Sequence, residues 1–182
     1  MSSAEAALEP EVLWGTSFSE RHLAMNVLSD EKEASTQQEA NFWLAEKKKT
    51  HGQGFVMKVA NSKRKIVGVK IRNTFNAGKG LWAAKGFQIE GSLLKEPDTL
   101  SHQARGTNPT WTPEILKEAG SWTVLLRGTL KTKSQGQSKP SLETFFFGAT
   151  TELRYLWFNL SSYYGQGGGL QYFAPILQSG EI

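Results

Sequence analysis

From Phe55 onward, apolar residues recur in short runs with a period of two, and Gly, Pro, Asn and Ser break the runs. Phe55-Val56-Met57-Lys58-Val59 is the first. Ile66 to Arg72 is the second, with Val67, Val69 and Ile71 on one face. Phe87 to Ser92, Trp122 to Leu126, Thr144 to Phe147, Arg154 to Leu160 and Leu170 to Ile176 follow. Alternation gives a strand one buried face, so such a chain must pair its strands and cover them. Several short strands and almost no helix predict an all-β chain, a β-sandwich or jelly roll.

The segment from Ile71 to Ser92 also carries the strongest local anomaly. Its two alternating strands bracket a loop of Asn, Gly and Lys that includes Leu81 and Trp82. Large apolar groups on a loop are either tucked beneath it or held out for a ligand. The choice stays open at the level of sequence.

With 182 residues, 38% of them hydrophobic, the chain suits one domain with a sizeable core. Residues 1–18 read as a flexible N-terminal arm and residues 19–182 as the folded domain. No apolar run reaches the length of a membrane-spanning helix. The start, MSSAEAALEP, lacks a basic segment followed by an apolar one, so no secretory signal is read there. Cysteine is absent, which excludes disulfides and thiolate metal sites. These features point to a cytoplasmic protein unless the chain is a fragment of a secreted one.

The net charge of +4 is unevenly spread. Residues 1–46 carry a balance of −7, residues 47–85 carry eleven bases and no acid, and the remainder is balanced. Such asymmetry fits nucleic acid or an anionic membrane. It fits better with acidic and basic faces that complement each other in one fold, because Lys58, Lys70 and Arg72 fall at solvent-facing strand positions. Nucleic acid is therefore not the expected partner.

Outside the strands, Ser19 to Val27 reads as a short helical turn with Ser19 as its cap. Lys47 to Gly52 is a solvated loop. Thr112-Pro113-Glu114 begins a short helix that stops at Gly120. Lys131 to Ser141 is a turn rich in Gly, Ser, Lys and Pro. Gly165-Gln166-Gly167-Gly168-Gly169 has two readings: a tight turn that needs positive φ, or a backbone left bare for close approach to a ligand.

The order of these segments carries a resemblance. A polar loop leads to NFWLA, then FVMKVANSKRKIVGVKIRNT, then a strand ending in QIEGS, then SWTVLLRGTL and RYLWFNLSSYYGQGGGLQYF. From about Ala24 to Ile176 this resembles the discoidin domain, also called the coagulation-factor type C domain, of the galactose-binding-like superfamily. The resemblance implies a jelly roll of about eight antiparallel strands that binds ligands with loops at one end, and a binding module rather than an enzyme. Mapped here, those loops are about Ser29 to Asn41, Ala45 to Gly54, Asn73 to Gly86, and Tyr163 to Leu170. The Asp-Gly-rich opening loop of many members stands here as Leu28-Ser29-Asp30-Glu31, so Asp30 is the single candidate for a carried-over calcium site. The disulfide common in extracellular members is missing.

No catalytic constellation accompanies this pattern. His22, His51 and His102 lack metal-ligand spacing. No GxSxG elbow is present, and the glycine run is not a phosphate loop, since a strand and no Lys-Ser/Thr follows. Asp30/Glu33 and Glu114/Glu118 are solvated acid pairs, not carboxyls facing across a cleft. Trp43, Trp122, Trp157, Phe158, Phe146 and Tyr155 lie in strand-like runs and are assigned to the core.

The candidate ligand residues are Asn73, Asn76, Lys79, Leu81, Trp82, Tyr163, Tyr164 and Gln166. Their amides and ammonium would hydrogen-bond hydroxyls, while Trp82 and Tyr164 would stack on a sugar. The expected partner is a glycan or small polar ligand. Two alternatives remain: an intracellular protein-interaction domain, and an anionic lipid surface met by Lys47, Lys48 and Lys49 with Leu81 and Trp82 inserted.

Overall fold

The structure is a computed structural model that describes residues 10–17, 23–28, 42–60, 62–74, 82–93, 114, 117, 120–132 and 140–179. Its strands in chain order are β1 (Glu11–Gly15), β2 (Trp43–Leu44), β3 (Gly54–Lys58), β4 (Arg64–Asn73), β5 (Trp82–Ala84) and β6 (Gly86–Ser92). They continue as β7 (Thr123–Thr129), β8 (Leu142–Leu153), β9 (Tyr155–Leu160), β10 (Tyr163–Gly165) and β11 (Gly169–Leu177). A 3-10 turn, Ala24–Leu28, lies between β1 and β2.

The strands make an antiparallel sandwich. One sheet has the order β1-β3-β9-β6-β7, the other β2-β11-β4-β8, and β5 pairs with β10 as a two-stranded ribbon. The all-β prediction is met. Among the described residues nine strands form the two sheets and two more the ribbon, beside the about eight expected. One of the additions is β1, which falls inside the expected N-terminal arm and pairs with β3 from Glu11↔Lys58 to Gly15↔Phe55. Its short EVLWG run follows an acidic, small-residue start that masked the strand signal.

The main core lies between the two sheets. Phe55, Met57, Phe87, Ile89, Leu156 and Phe158 meet Ile66, Val69, Ile71 and Phe173, all buried. The aromatic rings interlock: Phe55 stacks on Phe158 at 5.2 Å between centroids, and Phe173 meets Phe55 edge-on at 5.3 Å. Offset and edge-to-face pairs of this kind add roughly 0.5–1.5 kcal/mol each beyond area burial.

Three sequence expectations about faces needed correction. In β4, Val67 is only partly buried and Ile66 takes the core position, because the pairing with β8 shifts register between Ile66 and Gly68. In β8, Phe146 is 65% exposed, not core. A run of three phenylalanines cannot send consecutive side chains the same way, and Phe145 and Phe147 take the inner face. Phe145 meets Phe87 edge-on at 5.1 Å.

The third correction concerns β9, which is buried on both faces. Leu156, Phe158 and Leu160 enter the main core, while Tyr155 and Trp157 form a second cluster with Val56 on the outer side of the sheet. Trp14 and Trp122 close on Trp157 edge-on at 5.9 and 5.2 Å, and the Lys117 ammonium lies 5.8 Å from its ring centroid. Glu114 and Lys117 have helical backbone, as the Thr112–Ala119 reading expects; its other residues lie outside the described set.

Candidate functional site

Pairing places the strand ends that matter at one end of the sandwich. Gly54↔Asn159, Phe87↔Leu160 and Gly86↔Thr129 mark it in one sheet, and Leu170↔Asn73 in the other. The connections between β1 and β3, β4 and β5, β7 and β8, and β9 and β11 all leave from there. The structure thus brings the Ala45–Gly54, Asn73–Gly86 and Tyr163–Leu170 loops to the same end. Hydrogen bonds fasten two of them together: Ala45 N donates to Gly168 O at 2.9 Å, and Lys48 N to Gln166 O at 2.8 Å.

Asn73 sits at the end of β4, fully buried. Its Nδ2 donates to Ala84 O at 2.7 Å and Lys131 O at 3.1 Å. Its Oδ1 accepts from Thr74 N and Ala84 N, both at 3.0 Å. Both amide hydrogens and both lone pairs are therefore taken by backbone. Asn73 ties β4 to β5 and to the exit of β7, and offers nothing to a ligand.

Trp82, a candidate to stack on a sugar, is buried at 8%. It pairs with Gly165 across the β5–β10 ribbon and forms a parallel bridge with Gly167. Its ring lies against Gly167, where an added Cβ would come within 2.6 Å of the indole Cζ3. The tucked reading of this residue is correct. Leu81, Asn76 and Lys79 lie outside the described residues, as does Asp30.

The glycine run divides between the two sequence readings. Gly165 has φ 73°, a turn position that favours glycine. Gly167, Gly168 and Gly169 are bare for close approach, but to protein: Trp82, Leu160, and Leu44 with Trp43 O respectively.

The two tyrosines point opposite ways, as alternation requires. Tyr163 is half-buried and packs on the main core. Tyr164 is half-buried on the other face; its hydroxyl donates to Leu130 O at 3.0 Å, and the Lys85 ammonium lies 5.5 Å from its ring centroid. Gln166 is half-buried with its carbonyl committed to Lys48 N. Lys48 is exposed and has φ 57°, the left-handed region that residues with a Cβ seldom adopt.

Lys85 stands beside this turn, a neighbour that sequence reasoning passed over. It lies between β5 and β6, far from Tyr164 in sequence, and no local pattern links them. Ser162 fixes it from the other side: Lys85 N donates to Ser162 O at 2.9 Å, and Gly86 N to Ser162 Oγ at 2.8 Å.

Charge at this end is one-sided. Among the described residues it carries Lys47, Lys48, Lys49, Lys85 and Lys131 against Glu46 and Glu143. Glu46 pairs with Lys49, and that hydrogen bond holds its carboxyl below the ordinary glutamate range. Glu143 Oε2 accepts from Lys131 N at 2.9 Å. The opposite end has a similar excess, Lys58, Lys63, Arg64, Lys65 and Arg154 against Glu11 and Glu152, with both acids paired, Lys58–Glu11 at 3.3 Å and Lys63–Glu152 at 2.8 Å. Among the described residues no group of three His, Asp or Glu side chains is placed to hold a metal ion.

No protein-family model matches the sequence, and no curated protein does. Solved structures do. The chain is similar to the family 32 carbohydrate-binding module of C. perfringens NanJ in complex with galactose, with a TM-score of 0.56 at 10% identity, covering 92% of each chain. It is similar to a GH31 CBM32-2 bound to GalNAc, with a TM-score of 0.56 at 10% identity, covering 95% of this chain and 100% of that one. The CBM32 of AlyQ in complex with 4,5-unsaturated mannuronic acid gives 0.51 at 19% identity, covering 92% and 93%. At such identities the likeness is one of fold, an antiparallel β-sandwich.

Proposed function

We propose that this chain is a non-catalytic carbohydrate-binding module of discoidin type, with its glycan site among the loops at the Tyr164 end of the sandwich. The observation that carries the reading is the convergence of three loops at one end of this fold, with Tyr164, Gln166, Lys48 and Lys85 side by side. Solved structures of the same fold hold galactose, GalNAc and an unsaturated mannuronic acid. Asn73 and Trp82 leave the list of ligand residues and become supports for the loops. Tyr163 joins them as a core residue.

The membrane alternative loses the Trp82 half of its Leu81–Trp82 anchor, because that ring is buried. The protein-interaction alternative keeps one specific support: Phe146, 65% exposed on the outer face of the four-stranded sheet.

A glycan array followed by calorimetry on the full chain tests the proposal. The expected result is saturable binding of a defined sugar class, lost in Tyr164→Ala with the circular dichroism unchanged. A chain that is folded and binds no glycan would overturn it.

A further inference from the structure

We infer that the sugar bound at this end carries a negative charge, a carboxylate or a sulfate ester, held by Lys85 and Lys48 on either side of the Tyr164–Gln166 turn. The inference rests on the glycan reading above and names its substrate class.

Neutral sugars are held chiefly by an aromatic platform and neutral amides. Both are depleted among the described residues here. The Trp82 ring is buried against Gly167. The Asn73 amide is saturated by backbone. One face of Tyr164 is taken by the Lys85 ammonium, 5.5 Å from the ring centroid. What this end presents in their place is positive charge.

The backbone that carries that charge is also held in place. Lys85 is fixed by backbone bonds to Ser162 on one side and by Leu130 N, which donates to Lys85 O at 2.8 Å, on the other. Lys48 is held in the left-handed region while its N–H donates to Gln166 O. A strained non-glycine residue persists only where its surroundings fix it, and such residues concentrate at ligand sites. The two lysines flank one turn, and the ammoniums of Lys47, Lys48, Lys85 and Lys131 have no ion pair among the described residues. Unpaired ammoniums supply the charge-assisted hydrogen bonds that anionic groups accept.

The test is calorimetry on the full chain with three probes, galactose, galacturonic acid and galactose 6-sulfate, backed by an array of neutral, uronic and sulfated glycans. Titrations are run at about 20 mM and about 300 mM salt, on either side of the concentration where surface charges become strongly screened. An acidic sugar is expected to bind at least roughly tenfold more tightly than its neutral counterpart, the size of one charge-assisted hydrogen bond, and to weaken at the higher salt. The carboxylate and sulfate arms show which group is read. Lys85→Gln and Lys48→Gln should each remove most of the preference, Lys85→Arg should retain it, and Lys63→Gln at the opposite end should leave it intact. Equal binding of neutral and acidic sugars overturns the inference and leaves the glycan reading standing. So does a Lys63→Gln loss as large as that of Lys85→Gln, which would mean nonspecific charge. A folded chain that binds nothing on the array overturns both.

Discussion

The indole of Trp82 lies on the backbone of Gly167, so closely that a methyl group at Gly167 would meet the ring at 2.6 Å. The glycine makes room for a buried aromatic that joins the β5–β10 ribbon to the glycine loop. Gly167→Ala should therefore push Trp82 outward. We expect a loss of about 1–3 kcal/mol, as for other overpacked sites, with a red shift in tryptophan fluorescence. Unchanged fluorescence and melting would place the ring elsewhere.

Removing the ring should cost more than crowding it. Trp82→Ala leaves a cavity beneath the loops, and buried Trp or Phe to Ala changes cost about 3–5 kcal/mol. Urea denaturation measures this directly. A midpoint equal to the parent's would mean that Trp82 is exposed after all.

Asn73→Leu should destabilise although Leu is apolar and similar in size. It orphans Ala84 N, Ala84 O, Thr74 N and Lys131 O, which Asn73 now satisfies. Each buried group left unpaired costs about 1–3 kcal/mol unless water reaches it. Glycan affinity should fall only as far as the loops lose order, so a folded variant with full stability would remove Asn73 from its structural role.

A pair of variants tests the register of the four-stranded sheet. Val69→Asp places an unpaired charge where exposure is 0%, and should cost several kcal/mol, enough to unfold a marginal domain. Phe146→Asp, on the outer face, should change stability by no more than about 0.5 kcal/mol. Thermal melts in which the two variants exchange behaviour would show that the β4–β8 register is shifted by one residue.

Acid titration reports on the Glu46–Lys49 pair. The Lys49 hydrogen bond lowers the folded-state pKa of Glu46 below its unfolded value. The pair therefore stabilises the fold above the ordinary glutamate range, and that contribution fades as pH falls through the lowered value. Lys49→Gln should be slightly less stable than the parent near neutrality, and the gap should close as pH falls below the ordinary glutamate range. The difference is small because the pair is exposed. A gap that persists in acid would assign Lys49 another role.

Most of the sandwich was written in local pattern. Alternation in Phe55–Lys58, Ile66–Arg72, Phe87–Ser92 and Arg154–Leu160 specified strands, and the resemblance to the discoidin domain implied which loops end side by side. The strands depend on residues two apart, so one chain suffices to show them. What the sequence left open was decided by partners distant along the chain. A bulge opposite β8 moved the core from Val67 to Ile66. Burial of both faces of β9 came from Trp14 and Trp122, which no strand-period argument brings to Trp157. The conversion of Asn73 and Trp82 from ligand candidates to supports came from Lys131, Ala84 and Gly167. The pairing of Lys85 with Tyr164 came from the meeting of β5 with β10. Periodicity tells which way a side chain points from its own strand. Only tertiary packing supplies the atoms it meets there, and those decide whether a loop residue is left free to bind.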